Sequence, residues 1–303
     1  MTTTTSSLRG IFCMLIAGLF LTTNDAITKW LVPHYPPGEI LFFQASLIAV
    51  IVSVWMRLRG EPLFRSPNWR PHLYRGALYA VGSFAFVYAL KFMPLAEVVA
   101  IAFAGPLFMT LFGRVFLKEA VGPHRVFAVI IGFIGVLIVI RPGSAVFHWA
   151  VLLPLIVAVA DAFRDLVTRT MTAGESSMRI ILSTAIILAL AGLTTRGFVE
   201  WNPVRSADLI WYGLCASSFV IAHFFMIEAF RHAQVVVVAP FKYVQLIWSI
   251  LAGLIVWGEV PEPVIFLGIA VISSSGIYIA WREAVSSKQA RRSAGLQKVG
   301  ETG

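Results

Sequence analysis

The stretch DAITK at residues 25–29 returns as DLVTR at residues 165–169, which lies 140 residues further along the chain. The same offset relates Glu119 to Glu259, and no gap is needed between the two matches. Self-similarity at a fixed offset is typical of a repeated structural unit. The chain is therefore predicted to consist of two copies of one unit.

Both copies are strongly apolar. Of the 303 residues, 58% are hydrophobic and 13% are charged, whereas a soluble domain carries about 25% charged residues. A helix needs roughly 20 apolar residues to cross a membrane, and ten segments approach that length. They run approximately Gly10–Trp30, Ile40–Met56, Leu73–Lys91, Ala96–Leu117, Arg125–Ile140, Trp149–Thr168, Met178–Thr195, Leu209–Phe230, Val235–Trp257 and Val264–Trp281.

Five spans in each copy turn the second copy upside down relative to the first. The predicted fold class is an all-α integral membrane protein, with ten transmembrane helices arranged as two inverted five-helix repeats. We expect the first repeat over residues 1–145, the second, inverted repeat over residues 146–285, and a disordered cytoplasmic tail over residues 286–303. The first apolar run is predicted to be a retained helix, because no clear cleavage site follows a short apolar core.

The net charge of +9 comes from lysine and arginine residues that lie between apolar spans, so no basic domain is present to hold nucleic acid. Eighteen of these residues fall on the face that contains the N-terminus, and five fall on the opposite face. This bias predicts a multi-pass protein of the bacterial inner membrane with both termini in the cytoplasm.

Lys242 is the strongest candidate for a substrate-binding residue. A charged side chain inside a span costs about 2.5–3.5 kcal/mol, so it is expected to face a wet cavity or a partner. Gln245 and Ser249 lie at helical spacing from it and add polar groups to the same face. The alternative is a lysine that snorkels from the nearby helix end towards water.

Five more residues are expected to line this cavity. Asp161 and His223 are titratable groups inside predicted spans, which indicates substrate contact or a proton relay. The alternative for both is a purely structural role. Tyr79, Phe103 and Trp248 belong to aromatic-rich spans and would provide walls that suit amphipathic solutes.

Two charged pairs are predicted to act as gates. Asp25 and Lys29 have the i,i+4 spacing that allows contact on one helix face, and Asp165 with Arg169 repeats it in the other copy. Because the copies are expected to be inverted, the two pairs would lie at opposite mouths of the cavity.

Prolines and glycines mark irregular or closely packed spans. Pro106 and Pro240 interrupt predicted spans and free backbone groups, which indicates either a cavity lining or a packing kink. Gly132 in span five and Gly268 in span ten would let helices approach closely. A homodimer, if one forms, is expected through these two spans.

The sequence contains none of the motifs that carry common enzyme chemistry. It has no phosphate-binding loop, no His-x-x-x-His pair, no nucleophile elbow and no cysteine cluster. We therefore predict no enzyme activity, no cofactor and no metal. Any energy for transport would have to come from a gradient.

The segment Ala89–Arg141 has a recognisable pattern, with Pro94, Ala96 and Glu97 entering span four, Gly105–Pro106 within it and Lys118–Glu119 closing it. With its five plus five spans, the chain resembles the drug/metabolite transporter superfamily, specifically its EamA-type members. Within these it is most similar to YddG-type bacterial exporters of aromatic and other amino acids. The resemblance implies a central cavity lined by spans one, three, four, six, eight and nine.

The expected function is a secondary transporter that exports amino acids and similar small amphipathic metabolites by alternating access. Lys242 would hold the substrate carboxylate, and Asp161 or Glu228 the amine. Alternative cargoes are drug-like cations, purines or other metabolites. A different class of alternative is a non-transporting or lipid-handling membrane protein, and a lipid handler would need a polar groove that faces the bilayer.

Overall fold

The computed structural model describes residues 2–63, 69–116, 123–142, 149–171, 175–232 and 241–300. Within these ranges every regular element is helical, which confirms the all-α class for this part of the chain. The helices are α1 (Thr2–Leu31), α2 (Pro37–Leu58), α3 (Arg70–Ala89), α4 (Leu95–Ala102), α5 (Gly105–Phe116), α6 (Pro123–Ile140), α7 (Leu152–Met171), α8 (Ser177–Thr194), α9 (Leu209–His232), α10 (Val244–Trp257) and α11 (Pro263–Gly300).

Several helices suit a membrane. Proline begins α2, α6 and α11, where its missing N–H has little cost because the first donors of a helix have no partner in the helix. Four described segments are long and apolar enough to span a bilayer: Leu8–Leu31, Pro37–Leu58, Ser177–Gly197 and Ser206–Met226. The count of ten spans and the inverted repeat stay predictions.

Helix α11 runs beyond its apolar part. The structure describes this helix as far as Gly300, and a disordered tail over residues 286–303 stays a prediction. The added residues are mainly Ala, Ser, Lys, Arg and Gln, most of which favour helices, and no proline interrupts them.

Neighbouring helices come mostly from opposite halves of the chain. Helix α1 packs on α9, α2 on α8, α3 on α7 and α6 on α11, while α4 packs on α10. In a bilayer the surroundings are as apolar as the interior, so helices associate through close packing and hydrogen bonds. Polar residues that join helices are therefore informative about which contacts hold the bundle together.

Small residues allow α6 and α11 to approach closely. A Cβ atom on Gly135 would lie 2.9 Å from Val271 Cγ1 and 3.0 Å from the backbone nitrogen of Ile272. Ser275 Oγ donates to the Ala128 carbonyl oxygen across the same interface, at 2.5 Å. The glycine faces of the two helices are thus used within one chain, and a homodimer through these helices stays a prediction.

Replacing Gly135 by leucine should destabilise the protein by about 1–3 kcal/mol, because the backbone of α11 cannot easily move away. Gly213 offers a matched control, since no atom lies within 4 Å of a Cβ built there. Gly213→Ala should stabilise α9 by up to about 1 kcal/mol, because alanine favours a helix over glycine. Thermal unfolding in detergent measures both, and equal effects of the two substitutions would contradict the packing assigned to Gly135.

Candidate functional site

A break divides the fourth predicted span into two helices. Helix α4 ends at Ala102 and α5 begins at Gly105, so Phe103 and Ala104 lie between them. Pro106, the second residue of α5, has no N–H to donate, so the backbone hydrogen bonds of α4 cannot continue through it. Backbone groups freed at such a break need another partner or a wet cavity.

The Phe103 side chain at this break forms the first part of the candidate site. Its ring is buried and lies 5.1 Å from the ring of Tyr243, centroid to centroid. Lys242 is half-buried, and its Nζ lies 5.9 Å from the centroid of the Phe103 ring. Among the described residues no carboxylate pairs with this ammonium group. Lys242 is therefore placed beside aromatic rings, with its charge available for a ligand.

The second part of the site is an ion pair beside a stack of rings. Arg164 donates to the Asp161 carboxylate within α7, and its guanidinium lies 5.8 Å from the Tyr79 ring centroid. Tyr79 lies 6.1 Å from the Phe219 ring, which stacks on His223 at 4.0 Å. The Nδ1 atom of His223 lies 3.0 Å from the Phe219 carbonyl oxygen.

Asp161 connects the two parts. A Cβ on Gly82 of α3 would lie 3.8 Å from Asp161 Oδ1, and one on Gly105 of α5 would lie 4.0 Å from Asp161 Cβ. The carboxylate thus lies near the break that carries Phe103. The two parts therefore share one region of the interior. We call the six side chains of this region the interior site: Tyr79, Phe103, Asp161, Arg164, His223 and Lys242.

The i,i+4 pair expected from the sequence does not form. Asp25 accepts a hydrogen bond from Gln245 Nε2 at 3.2 Å, and Lys29 pairs with Glu259. Glu259 Oε2 also accepts from the backbone N–H of Leu95, at 3.3 Å. The spacing of Asp25 and Lys29 permits contact, but Glu259 from the other half of the chain lies nearer to the ammonium group. The Lys29–Glu259 pair therefore joins the two halves of the chain.

Ser249 and Trp248 add little to the interior site. Ser249 is buried and donates to the Leu246 carbonyl oxygen at 2.9 Å, so its donor is used within its own helix. Trp248 Nε1 is buried and has no hydrogen-bond partner among the described residues. Three other predicted residues cannot be compared: Pro240 lies outside the described residues, as do the side chains of Asp165 and Arg169.

Sequence reasoning missed three residues. Arg164 and Asp161 have the i,i+3 spacing of an ion pair, but nothing in the sequence places Arg164 against Tyr79. Glu259 could have been found as the partner of Lys29, since it stands at the end of a span and matches Glu119. Phe219 carries no signal beyond its apolar character.

A second polar cluster joins α3 to α7 and α8, at the opposite end of α3 from the Lys29–Glu259 pair. His72 Nδ1 lies 2.7 Å from Ser183 Oγ, and Arg179 pairs with Glu175 at 2.7 Å. Arg75 Nε donates to Thr168 Oγ1 at 2.9 Å. These bonds tie the halves together where α3 begins.

The loop before α9 holds another pair at the Lys29 end. Arg205 Nε donates to Asp208 Oδ2 at 2.8 Å, and the Tyr35 hydroxyl donates to the same oxygen at 2.6 Å. Hydrogen bonding to Asp208, and then to Tyr35, raises the pKa of Arg205 above its already high value. The pair is therefore charged at any physiological pH.

The structure also contains a lateral groove of about 550 Å³ between α3, α7 and α8. Its walls include Phe84, Tyr88 and Ile156, and it lies outside the interior site. The groove is mainly apolar, whereas a lipid-handling protein would need polar groups there for a headgroup.

The chain is similar to transporters of small molecules. Residues 8–141 match the EamA-like transporter family. A riboflavin transporter of Rhizobium johnstonii is 29% identical over 90% of this chain and 91% of its own length. An S-adenosylmethionine uptake transporter of Rickettsia conorii is 24% identical over 91% of this chain and 94% of its own length. A pseudopaline exporter of Pseudomonas aeruginosa is 25% identical over 86% of this chain and 91% of its own length. A solved crystal structure with 20% identity covers 95% of this chain and 98% of its own, with a TM-score of 0.63, and so shares the fold.

Proposed function

We propose that this chain, an EamA-type member of the drug/metabolite transporter superfamily, moves amphipathic metabolites that combine an aromatic ring with an amino-acid group. Its relatives are transporters and not enzymes, so the chain is a multi-pass membrane protein that transports small molecules. The observation that carries the finer proposal is the interior site itself. There Lys242 lies against Phe103, while the Asp161–Arg164 pair lies beside Tyr79.

The site's chemistry favours a zwitterion with a ring. Lys242 can hold a carboxylate, and Asp161 can turn from Arg164 to an amine when a substrate enters. Tyr79 and Phe103 offer faces on which an aromatic ring can stack. Free aromatic amino acids meet these requirements, and S-adenosylmethionine, an amino acid that carries a nucleoside, meets them as well. Drug-like cations fit less well, because the carboxylate of the interior site already pairs with a cation.

Inverted repeats are part of the proposal, and contacts between the halves support it. Thr28 Oγ1 lies 3.4 Å from the Cys215 thiol. In the other half of the chain, Thr28 is equivalent to Thr168 and Cys215 is equivalent to Arg75. Arg75 Nε donates a hydrogen bond to Thr168 Oγ1 at 2.9 Å. Both equivalent pairs are thus in contact, as expected for two copies related by a two-fold axis in the membrane plane.

The same operation relates further contacts. A Cβ on Gly18 would lie 3.6 Å from the backbone nitrogen of Gln245. Gly18 is equivalent to Ala158 and Gln245 to Gly105, and a Cβ on Gly105 would lie 3.5 Å from the Ala158 carbonyl oxygen. Phe103 and Tyr243 are equivalent to each other, and their rings touch. A residue that contacts its own equivalent lies on the axis, which favours a midplane position for Phe103 and for the break beside it.

Alternating access also requires that the two mouths of the central cavity open in turn. We propose the Lys29–Glu259 pair as the closure at one mouth, and we retain Asp165 and Arg169 as gate residues of the other. Cytoplasmic termini and outward movement of amino acids belong to the same proposal. The relatives' names include both uptake transporters and an exporter, so direction has to be measured in oriented vesicles.

Counterflow in liposomes tests the proposed cargo. Vesicles containing the purified protein and unlabelled substrate should take up labelled phenylalanine, tryptophan or S-adenosylmethionine at least about tenfold faster than empty vesicles, as a specific carrier requires. Putrescine, a cation without a ring or carboxylate, is the matched negative compound. Exchange of putrescine alone, or of no ring-bearing amino acid by correctly folded protein, would contradict the proposed substrate class.

A further inference from the structure

The lateral groove between α3, α7 and α8 follows the axis of α3. Its α3 wall extends from Ala80 to Tyr88, a stretch that rises about 12 Å along a helix. That length is close to the roughly 15 Å of hydrocarbon in one leaflet of a bilayer. The other walls come from α7 and α8, so the groove lies where the two halves of the chain meet. Its length and its apolar walls suit one acyl chain of a lipid.

Aromatic side chains mark the end of the groove that contains Tyr88. Phe92 and Trp149 lie 5.2 Å apart, centroid to centroid, where the chain enters α7. The Trp201 indole N–H donates to Oγ1 of Thr195, a residue of the groove wall, at 3.3 Å. Tryptophan and tyrosine are enriched at the level of the lipid headgroups. A lipid with its chain in the groove would therefore place its headgroup beside Tyr88 and Trp201.

A polar pocket continues from this end of the groove. It has a volume of about 260 Å³, shares Tyr88 with the groove, and has Lys91 and Asn202 in its other walls. Lys91 is exposed, with its Nζ 5.6 Å from the centroid of the Tyr88 ring. Arg196 is exposed as well, and its guanidinium lies 5.9 Å from the centroid of the Trp201 ring. Two cations thus stand at the headgroup level of an apolar groove.

Neither cation is neutralised by a described residue. Within the described part of the chain, no carboxylate forms an ion pair with Lys91 or Arg196. The buried carboxylates at this end have other partners. Glu39 accepts from a backbone N–H at 3.0 Å, and Asp208 accepts from Arg205 at 2.8 Å. We propose that an anionic phospholipid binds here, with one acyl chain in the groove and its phosphate beside Lys91 and Arg196.

The two charges set the preference for a headgroup. Each basic residue beside an anionic lipid strengthens binding about fivefold, so two should favour phosphatidylglycerol over zwitterionic phosphatidylcholine by about 30-fold. This lipid is a ligand and not a cargo, because the groove is apolar and lies outside the interior site. For the same reason, the substrate affinity of the interior site should not depend on it. The lipid would contact both halves of the chain and so join them from the bilayer side.

Native mass spectrometry of the purified full chain in detergent tests the proposal. Phosphatidylglycerol and phosphatidylcholine, added in equal amounts, should give a one-lipid complex with about 30-fold preference for the anionic lipid. Lys91→Gln combined with Arg196→Gln should reduce this preference to within about threefold of equal binding. Val81→Trp, at an exposed position of the groove wall, should weaken binding of both lipids at least about tenfold, the effect of losing about two buried methylene groups.

Matched variants away from the groove are the controls. Arg59→Gln combined with Arg282→Gln removes two other cations that lie over tryptophan rings, at 5.3 and 6.0 Å. Val50→Trp adds a tryptophan at an exposed position of α2. Both should keep wild-type lipid binding within about twofold, because charges beyond a Debye length of the headgroup contribute little.

Equal binding of the two lipids by wild type would overturn the proposal, as would equal losses in the control and test variants, which would indicate adventitious binding to the apolar surface. Displacement of phosphatidylglycerol by an equal concentration of inorganic phosphate would assign the pocket to a soluble anion instead. None of these measurements needs a transported substrate, so the lipid site and the proposed cargo can fail independently.

Discussion

Replacing Lys242 by methionine should raise the half-saturating concentration of carboxylate-bearing substrates by about 10- to 150-fold, the effect of losing a charged hydrogen bond worth about 1.5–3 kcal/mol. Methionine keeps the length and apolar stem of lysine and removes its charge. The ammonium lies beside Phe103 and has no ion pair among the described residues, so under the proposed function a substrate carboxylate would balance its charge. Competition by unlabelled phenylalanine in the counterflow assay measures the change.

Lys91→Met is the matched control for this prediction. Lys91 is exposed and lies 5.6 Å from the ring of Tyr88, so it also combines an ammonium group with an aromatic face. Its loss should leave the half-saturating concentration within about twofold, because the contribution of an exposed cation–π contact is small. A snorkelling role for Lys242 would give both substitutions the same weak effect and would remove Lys242 from the site.

Phenethylamine separates loss of carboxylate binding from general damage. This compound has the ring and amine of phenylalanine but lacks the carboxylate. Wild-type protein should prefer phenylalanine as a competitor, and Lys242→Met should reduce that preference. If Lys242→Met weakened competition by phenylalanine and by phenethylamine to the same extent, the result would instead indicate a distorted cavity.

The sequence predicted features that depend on local chemistry. The match between residues 25–29 and 165–169 indicated equivalent segments, and Gly105–Pro106 marked the place where the helix of span four is broken. Both follow from properties of the residues themselves. Proline ends the backbone hydrogen-bond ladder wherever it stands, whatever surrounds it.

Partners of charged side chains could not be predicted in the same way. Helical spacing says which side chains can meet on one helix, and it suggested Asp25 for Lys29. The actual partner, Glu259, is brought there by the packing of α1 and α4 against α10. His72 and Ser183 likewise meet only because α3 packs on α8. Contacts between distant segments depend on tertiary packing, which spacing within one segment does not encode.

If the Lys29–Glu259 pair is the closure proposed above, Lys29→Glu should open that mouth of the cavity. Removing one partner of a largely buried ion pair costs about 3–5 kcal/mol. A change of 3 kcal/mol alone would shift the equilibrium between closed and open forms by about 150-fold. Cys215 is a native reporter, because it is fully buried and contacts Asn24 and Thr28, which lie on α1 near Lys29. With Cys13 replaced by serine, labelling of Cys215 by a water-soluble maleimide should accelerate at least about tenfold.

Charge reversal of both partners separates a gate from a merely destabilised protein. The double variant Lys29→Glu with Glu259→Lys should restore slow labelling, because the attraction returns with its signs exchanged. Glu262→Lys is the control at the same end, since Glu262 belongs to a more exposed pair with Arg141 and such pairs contribute about 0–1 kcal/mol. Fast labelling in the double variant would show that the ion pair does not hold the mouth closed, and equal acceleration by Glu262→Lys would assign the effect to general loosening of that end.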